Sequence, residues 1–209
     1  KRLCVDTGYF ETFNQENVHL IDLTSSPIKR IGECSIEADQ EYEIDTLILA
    51  TGFDAMTGAL TSLDIVGRNG IVLRDQWEKG AKSYLGLGVS NFPNLFTITG
   101  PGSPSVLSNM MPSIEQHVNW IADCIGWMID NNKNVIESSI AAEEEWMELV
   151  NEIAGMTIFK STESWYNGSN IEDKANAFLP FIGVPVYTEK LEEITSNNYQ
   201  GFIFDLSNK

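Results

Sequence analysis

Along the first third of the chain, apolar residues come in short runs separated by polar turns. Val18-His19-Leu20-Ile21-Asp22-Leu23 alternates in the manner of a strand, with His19 turned to solvent, and the turn-prone Thr24-Ser25-Ser26-Pro27 follows. Glu41 to Asp45 lead into Thr46-Leu47-Ile48-Leu49-Ala50, an apolar run short enough for a buried strand, which Thr51-Gly52 ends. Gly67, Gly70, Gly80, Gly86 and Gly88 then punctuate a stretch suited to hairpins and loops rather than to helix. One more buried-strand candidate, Asn94-Leu95-Phe96-Thr97-Ile98-Thr99, runs into Gly100-Pro101-Gly102.

From Ser113 the period changes. Ile114, Val118, Ile121, Ile125, Met128 and Ile129 recur at helical spacing and predict an amphipathic helix of about five turns with one buried stripe. A second helix is expected over Ile140 to Ala154, with Ser138-Ser139 as cap candidates. Glu143-Glu144-Glu145 lie near its positive end and read as a solvated face. Trp120, Trp127 and Trp146 sit in these patterns as packing residues. Beyond the second helix the chain reads as irregular, with turns at Asn167-Gly168 and Asn170.

Composition narrows the classes. Hydrophobic residues make up 43% of the 209, which argues against a disordered chain. Lys and Arg number 13 against 30 Asp and Glu, a net charge of −17, which weighs against a nucleic-acid or anionic-membrane partner. No apolar run approaches the roughly 20 residues of a membrane span. Cys4, Cys34 and Cys124 form no CxxC pair, so neither a disulfide framework nor a thiolate zinc site is expected, and a reducing, cytoplasmic setting fits. The opening Lys1-Arg2-Leu3-Cys4-Val5-Asp6 has neither an initiator Met nor a signal-peptide core, so the chain is expected to begin within a longer protein.

The most informative local feature is a strand, a glycine turn and a long helix in succession. Such a sequence presents free backbone N–H groups and the positive end of a helix dipole to anionic or electron-accepting ligand groups. Gly100-Pro101-Gly102-Ser103-Pro104-Ser105 lacks the third glycine of GxGxxG, so a plain loop leading into the helix stays open as the alternative. Ala50-Thr51-Gly52 ends its strand in small residues that let a cofactor or another backbone approach, and Gly52 can take φ > 0 at a turn between domains; a simple strand end fits equally. His117 reads as a solvated or cap-proximal side chain rather than a catalytic base. No serine stands in a GxSxG elbow, and two distant histidines offer no metal-ligand spacing. Trp165 lies in the polar segment Thr162-Glu163-Ser164-Trp165-Tyr166-Asn167-Gly168, where an indole can stack on a ligand or donate its one N–H.

Taken together, several segments resemble the flavin-dependent Baeyer–Villiger monooxygenases. They are Lys1 to Phe13, Ala50-Thr51-Gly52-Phe53-Asp54-Ala55-Met56-Thr57-Gly58-Ala59-Leu60, Phe92-Pro93-Asn94-Leu95-Phe96, Gly100 to Met110, Ser113-Ile114-Glu115-Gln116-His117-Val118 and Ser164-Trp165-Tyr166. The resemblance implies an α/β fold, part of a flavoprotein of two Rossmann-like domains binding FAD and NAD(P). Residues 1–52 would end the NADPH-binding domain, and 53–209 would form the carboxyl-terminal half of the FAD-binding domain. By the same resemblance Ala50, Thr51 and Gly52 join the domains beside the cofactors. Pro104, Ser105, Val106 and Leu107 border the ketone pocket, Asn109 and Met110 approach the flavin, and Trp165 and Lys174 serve the nicotinamide cofactor. Glu172-Asp173 depart from the family's Pro-Gly pair, and two carboxylates beside a phosphate oppose the Lys174 role.

The chemistry implied is NADPH reduction of FAD, capture of O₂ as a flavin peroxide, and its addition to a ketone that rearranges to an ester or lactone. No catalytic residue falls in this chain: the family's phosphate-binding glycines and its peroxide-stabilising arginine lie upstream of the matched segments. The expected partners are a small ketone, O₂ and that amino-terminal part, without which the chain is expected neither to hold FAD tightly nor to turn over. A related flavin monooxygenase acting on nitrogen or sulfur, or a non-catalytic interaction domain, remain the alternatives.

Overall fold

The computed structural model describes residues 5–104, 107–162, 164–168, 171, 180–181 and 183–205. They fall into two compact units, Lys1–Thr51 and Gly52–Lys209.

The first unit is the smaller. A one-turn helix α1 (Tyr9–Thr12) starts where the Asp6 carboxylate accepts the Tyr9 N–H at 3.0 Å. The strands β1 (Arg30–Ile31), β2 (Ser35–Glu37) and β3 (Glu41–Glu43) form an antiparallel meander, with Ile31 opposite Ile36 and Ile36 opposite Tyr42. Two expected strands are absent. Residues 18–23 carry no ladder; Asp22 instead accepts the Thr24 N–H through its side chain and the Ser26 N–H through its carbonyl, a local turn that competes with extension. His19 is exposed, as expected. Thr46 to Ala50 form no strand with any described residue, and Ile48 is 82% exposed. An apolar run becomes a buried strand only when neighbours complete its ladder and cover both faces, and no described residue does so here.

The second unit opens with α2 (Gly58–Thr61) and α3 (Leu73–Gln76), a short helix inside the stretch read as loops. Leu73, Trp77, Ala81, Val89 and Phe92 make a small core beneath them. The long helix α4 (Met110–Asp130) and α5 (Ile140–Gly155) match the two expected helices, and Ser139 caps α5 by accepting the Ala142 N–H. Strand β4 (Ile136–Ser138) pairs antiparallel with β5 (Phe202–Phe204). Helix α6 (Val184–Ser196) occupies a region read as irregular, although Tyr187, Leu191 and Ile194 are spaced as a buried stripe and Pro185 suits the first turn.

The main core gathers Trp120, Cys124, Trp146, Val150, Phe181 and Tyr187 with their neighbours. In α4 the buried stripe is Ser113, His117, Trp120, Cys124 and Met128, rotated from the expected one. Val118, Ile125 and Ile129 are exposed at 45%, 43% and 70%. The helix is apolar over more than one face, and the face carrying Trp120, Cys124 and Met128 is the one the core takes. Trp120 and Trp146 are buried and Trp127 packs against the core, as read from the sequence.

Among the described residues, no helix is long and apolar enough to cross a membrane.

Candidate functional site

The glycine turn and the start of α4 are tied by the Ser108 hydroxyl, which donates to the Pro104 carbonyl at 2.7 Å. Leu95 to Thr99 is not the expected buried strand: a single bridge pairs Gly88 with Phe96, and Ile98 is 47% exposed. The segment is tied to the loop before it by Thr97 N–H to the Leu87 carbonyl and Gly100 N–H to the Gly86 carbonyl. Gly100 is required by this close approach, because a Cβ there would stand 2.7 Å from the Gly86 oxygen. Ser83 Oγ donates to the Pro101 carbonyl and accepts the Gly86 N–H, locking the turn from beneath. Gly100 through Pro104 are all buried.

The chain then surfaces. Leu107 is 38% exposed, Met110 40% and Met111 62%. Helix α4 begins three residues earlier than expected, at Met110, because Asn109 caps it by accepting the Met111 N–H at 3.1 Å. Pro112, in the first turn, has no N–H to offer. A 21-residue helix thus starts at the surface after a buried glycine turn, and the donors at its positive end suit an anionic or electron-accepting group.

Two residues in the supporting loops lie in left-handed backbone without being glycine: Leu85 at φ 62° and the β-branched Thr99 at φ 53°. Such conformations cost on the order of 1–3 kcal/mol each and persist only where surroundings fix them. The fixing group is His117, fully buried rather than solvated as the sequence suggested. Its Nδ1 accepts the Thr99 N–H at 2.9 Å, and its Nε2 lies 2.8 Å from the Tyr187 hydroxyl, which donates to the Leu85 carbonyl at 2.7 Å. Burial pulls the imidazole down to about 4, so it is neutral at pH 7.

Glu143 is a second correction. It is not part of a solvated face but buried, accepting Ser90 N–H at 2.7 Å and Ser90 Oγ–H at 2.9 Å, and desolvation raises its carboxyl against the lowering effect of those bonds. Nearby in sequence, Glu137 accepts the Asn91 N–H and pairs with Arg68. Two buried carboxylates, Glu137 on β4 and Glu143 on α5, therefore hold the Ser90–Asn91 turn. No sequence signal marked either, because burial of a carboxylate is set by what folds over it.

The remaining candidates stand apart. Ala50 and Thr51 are exposed at the end of the first unit, and Gly52, at φ 87°, opens the second. Trp165 is half exposed at the start of a single 3₁₀ turn, Trp165–Asn167, that Ser164 caps; its ring lies 4.1 Å from that of Tyr166. Ser105, Val106 and Lys174 lie outside the described residues, as do Glu172 and Asp173.

No family model matches the chain. Cyclohexanone 1,2-monooxygenase of an Acinetobacter species is 39% identical over 99% of this chain and 38% of its own length. A phenazine N-monooxygenase of Lysobacter antibioticus is 38% identical over 97% of the chain and 38% of its own. Among solved structures, a closed cyclohexanone monooxygenase superposes with a TM-score of 0.91 at 37% identity, over 99% of this chain and 39% of that one. OTEMO in complex with FAD and NADP gives 0.89 at 35% identity, over 98% and 38%. The chain thus spans under two-fifths of the length of these relatives and shares part of their α/β flavoprotein fold.

Proposed function

We propose, for a chain that belongs with the Baeyer–Villiger monooxygenases in sequence and fold, that it forms the carboxyl-terminal part of an NADPH-dependent, FAD-containing enzyme. That enzyme would insert one atom of O₂ beside a ketone carbonyl to give an ester or lactone. The observation that carries the reading is the match along 99% of the chain at 39% identity to a cyclohexanone monooxygenase. FAD, when bound, would supply the redox and oxygen chemistry, with NADPH as reductant. In this reading residues 1–52 close the NADPH-binding domain and 53–209 complete the FAD-binding domain.

The chain's own residues have positioning and shielding roles. The open first turn of α4, with Asn109 and Met110, would face the flavin and stabilise negative charge on it. Pro104 and Leu107, with Ser105 and Val106 between them, would wall the ketone pocket with apolar surface and keep water out. Ala50, Thr51 and Gly52 would span the domain junction. Trp165 and Lys174 would serve the nicotinamide cofactor, with the exposed indole free to cover it. The phosphate-binding glycines and the catalytic arginine would come from the rest of the protein.

The test is to supply FAD, NADPH and a cyclic ketone to the protein that carries this chain and to look for lactone by mass spectrometry. A second reading, oxygenation of nitrogen, draws on the phenazine N-monooxygenase at 38% identity; N-oxide without lactone would establish it and overturn the first. We further expect the 209-residue chain alone to lose FAD on desalting. A stoichiometric flavin absorbance after desalting overturns that expectation.

A further inference from the structure

The geometry points to His117 and Tyr187 as positioning residues that clamp the two left-handed turns flanking the glycine loop, and so set the course of Gly100 to Pro104 beside the proposed ketone pocket. This deepens the monooxygenase reading above and rests on it.

The chain of donors runs in one direction. Thr99 N–H donates to His117 Nδ1, which leaves the imidazole proton on Nε2, facing the Tyr187 oxygen; the Tyr187 O–H then donates to the Leu85 carbonyl. Each end falls on a non-glycine residue at positive φ, Thr99 and Leu85. Those residues flank the contact where Gly100 N–H meets the Gly86 carbonyl. His117 comes from α4 and Tyr187 from α6, so the two helices hold the loop jointly. Neither side chain is exposed to solvent, which excludes direct contact with a substrate in an open pocket and leaves positioning as the role. Leu85 and Thr99 have no Cβ-free route into their conformation, so loss of the clamp lets the backbone relax toward negative φ and carries Gly100 to Pro104 with it.

The test uses two near-isosteric variants of the full-length protein. In His117→Asn the amide oxygen stands near the Nδ1 position and can still accept the Thr99 N–H. In His117→Gln the amide nitrogen reaches the Nε2 position and can serve Tyr187 but not Thr99. Hydrogen exchange over 96–103 should quicken at least tenfold in His117→Gln and stay within about threefold of wild type in His117→Asn. With ketone and NADPH, His117→Gln should raise KM and the fraction of NADPH lost as H₂O₂, and His117→Asn should recover both. Equal changes in the two variants that follow Tm would make His117 an ordinary core residue and overturn the proposal, as would wild-type exchange in both. Because exchange is read without turnover, a wild type that makes no ester or lactone sinks the functional reading alone.

Discussion

The two units treat the same kind of residue in opposite ways. In residues 52–209, Trp146 is 3% exposed and lies 4.9 Å from the Phe181 ring. In residues 1–51, Leu47, Ile48 and Leu49 form as apolar a run as any in the chain, yet they are 40%, 82% and 72% exposed. The difference is one of partners. A helix closes its own hydrogen bonds and needs only one covered stripe, whereas an apolar strand needs ladders and two covered faces. The second unit holds helices that cover one another; the first holds a meander of two- and three-residue strands.

The largest effect that separates the units is truncation in the core. Trp146→Ala removes a ring packed against Phe181 and Tyr187 and should cost about 3–5 kcal/mol in urea unfolding of the purified protein. Ile48→Ala should change stability by no more than about 0.5 kcal/mol, because its side chain is already in water. A comparable loss for Ile48→Ala would break the contrast and show that other parts of the protein cover this run.

Acid should find the second unit as well. The folded imidazole of His117 lies at about 4 against an ordinary 6.5, so as pH falls the unfolded chain binds a proton first. The stability this group contributes is complete above about pH 6.5, declines between 6.5 and 4, and is flat below. The span corresponds to about 3 kcal/mol. Glu143, pushed upward by burial, acts in the opposite sense, since its folded form holds a proton more readily. The clean observable is therefore the difference between wild type and His117→Asn across pH 7 to 4. Parallel stability curves would remove His117 as the cause.

What is legible in the sequence follows the same division. Helices α4 and α5 are legible because their periodicity and caps are local, and Ser139 stands out as a candidate cap. Helix α6 carries an equivalent signal in Tyr187, Leu191 and Ile194, masked by the turn-rich segment before it. The strand expectations at 18–23, 46–50 and 94–99 fail because pairing is a property of neighbours distant in sequence. His117 and Glu143 mislead for a related reason: polar residues look solvated until the fold supplies Thr99, Tyr187 and Ser90 as partners. Of the candidate site, the glycine turn and its helix are legible as a unit, while the relay beneath them is not.

The smallest effect tests whether ion pairs obey the same rule as apolar residues. Arg68 and Glu137 pair in the second unit with side chains 24% and 7% exposed, and the carboxylate also accepts the Asn91 N–H. In the first unit Arg30 reaches Glu37 at 3.5 Å with side chains 63% and 41% exposed. Glu137→Gln leaves the Arg68 guanidinium partly buried without its counter-charge and should cost about 2 kcal/mol, below the 3–5 typical of a fully buried pair because Arg68 retains some water. Glu37→Gln should cost no more than about 0.5 kcal/mol, and about 1 M salt should erase that remainder. Guanidinium is itself a salt, so urea unfolding is the measurement to use. Equal costs at Glu37 and Glu137 would mean that the cover over the Ser90–Asn91 turn, not the charge pair, sets the stability there. Glu137→Ala would then be the next variant to make, because the amide oxygen introduced by Glu137→Gln can still accept the Asn91 backbone N–H and so leaves that hydrogen bond untested.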